Sequence, residues 1–228
     1  MGNMLIDLEQ ATEDLHLEAE VCIIGAGAAG MTLARDLMNA GRNVCLVEAG
    51  GMDYEARSQT LAEGLNIGSE YYDLDHARLR FFGGTTNIWG GRSVPLDAIV
   101  FEKRDWVPHS GWPITLDDLQ SHYRTAHDSL ELGEFDYELG NWDRLGLNPL
   151  DFDPEKIRHR FWRFDHFAER FHSRRNEDLV KSANVQVVLH ANTVGLRATE
   201  NASGISSLDA STMDGRKLQV RARHFVLA

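Results

Sequence analysis

A glycine pattern near the start of the chain constrains its fold more strongly than any other feature. Residues 25–30 read Gly-Ala-Gly-Ala-Ala-Gly, which matches the spacing G-x-G-x-x-G. A short apolar run at residues 21–24 comes before the pattern, and the apolar spacing of residues 31–39 predicts a helix after it. A second apolar run, Val44–Val47, follows that helix and ends beside Glu48. Two apolar strands joined by a helix are typical of a parallel sheet that is covered on both faces.

Each residue type in this pattern has a physical reason to be there. Gly25 allows a tight turn, Gly27 allows the backbone to approach a pyrophosphate, and Gly30 lets helix and strand pack closely. The helix N-terminus near Ala28 offers free N–H groups and a partial positive charge to phosphate oxygens. The Glu48 carboxylate, 18 residues after Gly30, can accept both hydroxyls of a ribose and would repel a 2′-phosphate. We therefore predict a dinucleotide site, for which this pattern leaves NAD and FAD open.

A second glycine-rich loop at residues 82–92 reads Phe-Gly-Gly-Thr-Thr-Asn-Ile-Trp-Gly-Gly-Arg. Its paired glycines permit close approach of the backbone to a phosphate or a ring, and its hydroxyl and amide side chains can form hydrogen bonds. Its tryptophan can form a wall beside a ring. A purely structural loop packed by that tryptophan is the alternative. The cofactor contacts predicted here are Gly83, Gly84, Thr85, Thr86, Asn87, Trp89, Gly90 and Gly91.

These motifs, with residues 48–51 and 105–114, resemble the glucose–methanol–choline (GMC) family of FAD-dependent oxidoreductases. The resemblance extends from about Ala19 to Ala228, and its nearest branch is the bacterial sugar dehydrogenases and pyranose-oxidase-like enzymes. It implies FAD rather than NAD. In several relatives a histidine before the loop's tryptophan bonds covalently to the flavin. Here that residue is Ile88, so the resemblance predicts FAD that is bound non-covalently.

Two more cofactor contacts are predicted outside the two glycine loops. Val194 resembles the strand residue whose backbone pairs with the adenine edge, although an ordinary strand is the alternative. Arg80 lies close to the second glycine loop in sequence. It is predicted to face the pyrophosphate, with a surface salt bridge as the alternative.

The resemblance also implies a reaction. A sugar or polyol alcohol gives a hydride to flavin N5 while a histidine base removes the hydroxyl proton. The electrons then pass to oxygen, a quinone or a protein carrier. The family's histidine belongs to its C-terminal half, so we predict no catalytic residue in this chain and expect the chain to be an N-terminal part. The alternatives are a non-catalytic FAD-binding remnant or interaction module, and a NAD-dependent dehydrogenase.

The predicted fold class is α/β. We expect a Rossmann-like FAD-binding domain with a parallel sheet and a β-meander, incomplete, together with the start of an α+β substrate domain. The predicted parts are a polar leader at 1–18, the FAD-binding domain at 19–100 and 185–228, and a mainly helical insertion or lid at 101–184. The strands expected in the meander are Val185–Leu189, 193–198, 205–210 and 217–223, followed by an apolar run at 225–228. Residues 115–130 are predicted to form a helix with Thr115 as N-cap.

Charge and composition exclude some classes of partner. The formal net charge of −12 argues against nucleic acid, because phosphate binding depends on Lys and Arg. The sequence lacks an apolar run long enough for a bilayer and a secretory signal pattern, so we expect a cytoplasmic protein. Cys22 and Cys45 are predicted to be buried free thiols. His159, His166 and His172 show no metal-binding spacing and are predicted to lie on the solvated surface.

Overall fold

The computed structural model describes residues 5–137, 140–153, 155–157, 159–167 and 169–228. Its strands are β1 (Leu5–Asp7), β2 (Leu15–Ile24), β3 (Val44–Val47), β4 (Arg92–Ser93), β5 (Arg163–Phe164), β6 (Val185–Leu189), β7 (Asn192–Ala198), β8 (Ile205–Ser211) and β9 (Lys217–Leu227). Its α-helices are α1 (Ala28–Asn39), α2 (Ala56–Gln59), α3 (Leu74–Ala77), α4 (Leu116–Ser129), α5 (Gly140–Leu145) and α6 (Glu177–Val180).

Seven strands form one mixed sheet in the order β1-β6-β3-β2-β9-β8-β7. The five strands from β1 to β9 in that order are parallel, and β9, β8 and β7 form an antiparallel meander. All four residues of β3 and four of the five residues of β6 are buried, as expected for central parallel strands. The predicted α/β class with a parallel sheet and a meander is therefore confirmed.

The structure differs from the prediction in four features of this sheet. The run at 21–24 is only the end of the ten-residue β2, whose first half alternates between partly buried and exposed side chains. Residues 5–7 also form a strand, so the predicted polar leader contributes two segments to the sheet. The runs at 217–223 and 225–228 form one strand, β9, because it pairs with β2 from Leu218 to Leu227. Finally, β6 lies between β1 and β3 and not in the meander, since it is buried on both faces.

The described residues fall into two compact units. One comprises the described part of Met1–Ile88 with Phe171–Ala228, and the other comprises the described part of Trp89–Arg170. The domain boundaries drawn from the sequence at 100/101 and 184/185 differ from these divisions and stay a prediction. In the second unit, α4 begins with the predicted cap. The Thr115 hydroxyl accepts the Asp118 N–H at 3.3 Å, and the Asp118 carboxylate accepts the Thr115 N–H at 2.8 Å.

The core of the first unit surrounds the central strands. Cys22 on β2 and Cys45 on β3 are neighbours in register, and both are fully buried with free thiols, which confirms their prediction.

None of the helices in the described ranges has the length and apolar character needed to cross a membrane.

Candidate functional site

The C-terminal ends of four parallel strands meet at one edge of the sheet. The residues that follow them are Gly25 after β2, Glu48 after β3, His190 after β6 and Ala228 after β9. Open α/β sheets bind their ligands at this edge, because loops and helix N-termini converge there. The edge contains the first glycine pattern and its acidic partner.

The first glycine pattern has the geometry of a phosphate-binding turn. Gly25 has a φ of +106°, which side chains other than glycine rarely adopt, and its N–H donates to the Val47 carbonyl at 2.8 Å. A Cβ atom on Gly30 would lie 2.0 Å from the Gly25 carbonyl oxygen, so helix and turn touch there. The helix α1 begins at Ala28. Gly25 is therefore required by its backbone conformation, and Gly30 by the close packing of helix and turn.

The start of α1 is open to a ligand. Its N-cap is Gly27, and within the described residues no side chain caps the first turn. In the same described part of the chain, a Cβ atom built on Gly27 meets no atom within 4 Å. The first N–H groups of the helix consequently have space in front of them, and the helix dipole favours an anion there.

The Glu48 carboxylate joins two loops at this edge. It is only 6% exposed, and it accepts the Ala26 N–H at 2.9 Å and the Gly50 N–H at 3.0 Å. Both oxygens are therefore fixed by backbone groups, and each keeps a lone pair for a further donor such as a ribose hydroxyl.

The second glycine loop lies against the first. The Gly83 N–H donates to the Ala26 carbonyl at 2.8 Å, and a Cβ atom on Gly84 would lie 3.8 Å from the Gly27 Cα atom. Both Gly83 (φ +91°) and Gly84 (φ +54°) have left-handed backbones. The structure thus brings together two motifs that are separated by more than fifty residues in the sequence.

The polar side chains of this loop divide into two groups. The Thr85 hydroxyl accepts the Leu79 N–H at 3.1 Å, and the Thr86 hydroxyl donates to the Gly83 carbonyl, so both hold the loop together. The Asn87 amide nitrogen donates to the Phe82 carbonyl at 3.2 Å and also to that of Gly84. The Asn87 Oδ1 atom is buried and has no hydrogen-bond partner among the described residues. A buried acceptor of this kind fits a polar group of a ligand.

The remainder of the loop continues into the second compact unit. Ile88, which is 60% exposed, ends the first unit, and Trp89 begins the second. Gly90 and Gly91 both have a φ of +72°, and a Cβ atom on Gly91 would lie 2.6 Å from the Asp165 carbonyl oxygen. Gly91 is therefore required by packing within the second unit.

Arg80 and Val194 lie on the side of the meander. The Arg80 guanidinium donates to the Asn192 side-chain oxygen at 2.6 Å, so its partner is an amide at the start of β7. The Arg80 Nε atom is buried without a hydrogen-bond partner in the described part of the chain. Val194 is 69% exposed on the edge strand β7, where the pairing with β8 shifts register between Thr193 and Gly195. Backbone groups at such a shift are available to a ligand.

Sequence reasoning missed a cluster around His190. The imidazole lies 2.7 Å from an Asp7 oxygen and 2.8 Å from a Glu55 oxygen. His190 and Glu55, with Glu9 and Arg57, border a cleft of about 280 Å³. The three clustered residues come from distant segments, and no local spacing links them, so no sequence pattern signals the cluster.

Of the three histidines that were predicted to lie on the solvated surface, one is exposed and two are half-buried. His166 is exposed as predicted, whereas His172 is half-buried and lies 3.3 Å from an Asp53 oxygen. His159 is also half-buried, in edge-on contact with Trp142 in the second unit. Over the described ranges, no group of three or more His, Cys, Asp or Glu side chains is arranged to hold a metal ion.

Comparison with known proteins gives one family. The family model described as FAD dependent oxidoreductase matches residues 20–228. No curated protein is significantly similar to the chain in sequence.

Solved structures share the fold at low sequence identity. A formate oxidase variant from Aspergillus oryzae RIB40 has a TM-score of 0.53 at 15% identity, over 95% of this chain and 46% of that one. Another formate oxidase structure has a TM-score of 0.51 at 16% identity, over 93% and 45%. A fungal aryl-alcohol oxidase has a TM-score of 0.50 at 14% identity, over 92% and 45%. The chain therefore spans about half the length of these structures, and the likeness establishes the fold.

Proposed function

The chain belongs to the family of FAD-dependent oxidoreductases, and we propose that it forms the FAD-binding part of a GMC-type enzyme that oxidises an alcohol group. The family confirms FAD, the cofactor predicted from the sequence. We further propose two assignments: a substrate of the sugar or polyol class, and FAD that is bound non-covalently. They are supported by the resemblance of the two glycine loops and by Ile88 at the position of the covalent histidine.

One observation carries the proposal: the contact between the two glycine loops. The Gly83 N–H bonded to the Ala26 carbonyl at 2.8 Å sets the second loop beside the open N-terminus of α1. A pyrophosphate needs exposed N–H groups and space, which Gly27 provides. A ring system next to it needs a polar acceptor, which the buried Asn87 Oδ1 atom provides. A dinucleotide therefore fits the residues at this edge.

Each part of the site has a proposed role. The first turn of α1 holds the pyrophosphate, and Glu48 accepts the ribose hydroxyls through its remaining lone pairs. The second loop contacts the flavin side, and the β7 backbone contacts the adenine edge. The proposed FAD contacts are Gly25, Gly27, Ala28, Gly30, Glu48, Arg80, Gly83, Gly84, Thr85, Thr86, Asn87, Trp89, Gly90, Gly91 and Val194.

When it is bound, FAD supplies the hydride acceptor of the reaction. The residues of this chain bind and orient it, and their backbone N–H groups stabilise the negative charge of the pyrophosphate. We propose no catalytic base in the chain, because the motifs matched here are the cofactor-binding motifs of the family.

Direct binding tests the proposal. The 228-residue chain is expected to bind FAD, and acid precipitation of the yellow complex is expected to release all flavin into the supernatant, because Ile88 offers no nucleophile. Flavin absorbance of the supernatant and the pellet measures this. Colour that stays with the denatured pellet would contradict non-covalent attachment, and a chain that binds no FAD would contradict the proposed function.

Turnover by the same chain is expected to be absent. With an artificial electron acceptor, the 228-residue chain should oxidise no sugar or alcohol above the rate of free FAD. The reason is that the proposed contacts include no base to take the hydroxyl proton. Dye reduction in a panel of sugars, polyols and aryl alcohols measures this. Saturable turnover would show that the base lies within the chain.

A further inference from the structure

His190 is held between two carboxylates at the edge of the sheet. Its Nδ1 atom lies 2.7 Å from Asp7 Oδ1, and its Nε2 atom lies 2.8 Å from Glu55 Oε2. The side chain is only 10% exposed. A neutral imidazole has one N–H group, so it can donate to only one carboxylate, whereas the imidazolium can donate to both. With both partners ionised, these two contacts therefore require the protonated ring.

The backbone of His190 is tied to the loop at residues 48–51. The His190 N–H donates to the Gly50 carbonyl at 3.0 Å, and the Ala191 N–H donates to the Glu48 carbonyl at 2.9 Å. The imidazole also packs on this loop, since a Cβ atom on Gly51 would lie 2.9 Å from its Nε2 atom. The His190 φ of +54° is unusual for a residue with a side chain, and these contacts maintain it.

We propose that His190 is a proton-dependent positioning residue for FAD. Its imidazolium, by bridging Asp7 and Glu55, holds the 48–51 loop and so the Glu48 carboxylate in the position that binds ribose. The inference rests on the proposed function, because Glu48 is a proposed ribose ligand. Loss of the proton removes one of the two bridging hydrogen bonds and loosens the loop. FAD affinity therefore falls as the pH rises.

The charges around His190 are consistent with an FAD affinity that falls as the pH rises. Burial of His190 opposes its protonation, but its hydrogen bonds to Asp7 and Glu55 outweigh burial and raise the pKa of His190 above its ordinary value. Because the pKa of His190 is raised, the contribution of its imidazolium to FAD affinity is complete below about pH 6.5. That contribution is lost as the pH rises through the raised pKa. Other charged groups on the neighbouring elements include Glu9, Glu48, Arg57, Arg80 and Asp214, and Arg57 pairs with Asp214 and Glu9.

A pH series of FAD affinity tests the proposal with the full chain. The Kd for FAD, from flavin fluorescence, is expected to rise roughly three- to tenfold between about pH 6 and about pH 9, which corresponds to the net contribution of one ordinary hydrogen bond. Asparagine tolerates a left-handed backbone and carries no charge. His190→Asn is therefore expected to bind with the weaker, high-pH affinity at every pH. His109→Asn is the matched control, because His109 is the other histidine with a positive φ (59°) among the described residues, and it should keep the wild-type profile.

Two carboxamide variants provide a second arm. Asp7→Asn and Glu55→Gln each remove one negative partner of His190, so the pH at which FAD affinity falls is expected to move downward. A cooperative melting transition of each apo variant confirms that it folds. If His190→Asn does not fold, the pH profile of Glu55→Gln tests the inference in its place. Wild-type chain that binds FAD with a flat pH profile, or His190→Asn that keeps the wild-type slope, would overturn the inference alone. Failure to bind FAD at any pH would overturn the proposed function and the inference with it.

Discussion

Replacing Gly27 with alanine is expected to weaken FAD binding by roughly 10- to 100-fold, which corresponds to one charge-assisted hydrogen bond at the pyrophosphate. The added Cβ atom has free space in the described part of the chain, so it occupies volume that the ligand needs. The backbone of Gly27 (φ −79°) is accessible to alanine, and alanine in place of glycine at an N-cap costs less than about 1 kcal/mol. The apo chain should therefore stay folded while the ligand is pushed away.

FAD titration and thermal melting, measured on the same samples, separate these two effects. Gly204→Ala is the control, because the nearest atom to a Cβ there lies 4.0 Å away, and the residue sits in the turn before β8. It should change neither the Kd nor the melting temperature. If Gly27→Ala binds FAD as tightly as the wild-type chain, the pyrophosphate does not approach this residue, and the proposed use of the helix N-terminus is wrong.

The parts of the fold that depend on neighbours in sequence could be predicted from the sequence. Val44–Val47 was predicted with its observed bounds because four consecutive apolar residues flanked by Arg42-Asn43 and Glu48 leave little choice of register. The N-terminus of α4 was predicted from Thr115, because a capping residue acts only on the next turn of its own helix. The residues next to each of these features are enough to indicate it.

Features that depend on distant partners were not predicted from the sequence. Strand β9 is longer than its apolar pattern suggests, because the neighbouring strand β2 pairs with it along almost its whole length. The Arg80 guanidinium meets Asn192 on β7, and no property of residues near Arg80 indicates that partner. For the same reason, both glycine loops could be predicted from the sequence, whereas the hydrogen bond from Gly83 to Ala26 that joins them could not. A spacing rule describes one segment, whereas these contacts depend on how segments pack.

A large effect on stability is expected at Gly30, three residues from Gly27 in the same pattern. A Cβ atom on Gly30 would lie 2.0 Å from the Gly25 carbonyl oxygen and 3.3 Å from the Ala228 Cβ atom. The first of these is backbone, so the strand end and the helix must separate to admit the methyl group. Overpacking of this kind costs about 2–4 kcal/mol, more than the roughly 1 kcal/mol that alanine gains over glycine in a helix.

Gly30→Ala is therefore expected to lower the melting temperature of the apo chain by roughly 2–12 °C, because the net cost is about 1–3 kcal/mol and a chain of this size loses about 2–4 °C per kcal/mol. Differential scanning calorimetry without FAD measures this directly, so the result does not depend on the ligand. Gly27→Ala adds the same methyl group to the same turn and serves as the matched comparison. The two variants should then separate the pattern into one glycine that is needed for the ligand and one that is needed for the fold. Equal melting temperatures for Gly30→Ala and the wild-type chain would mean that α1 is not packed on the Gly25 turn as closely as the structure has it.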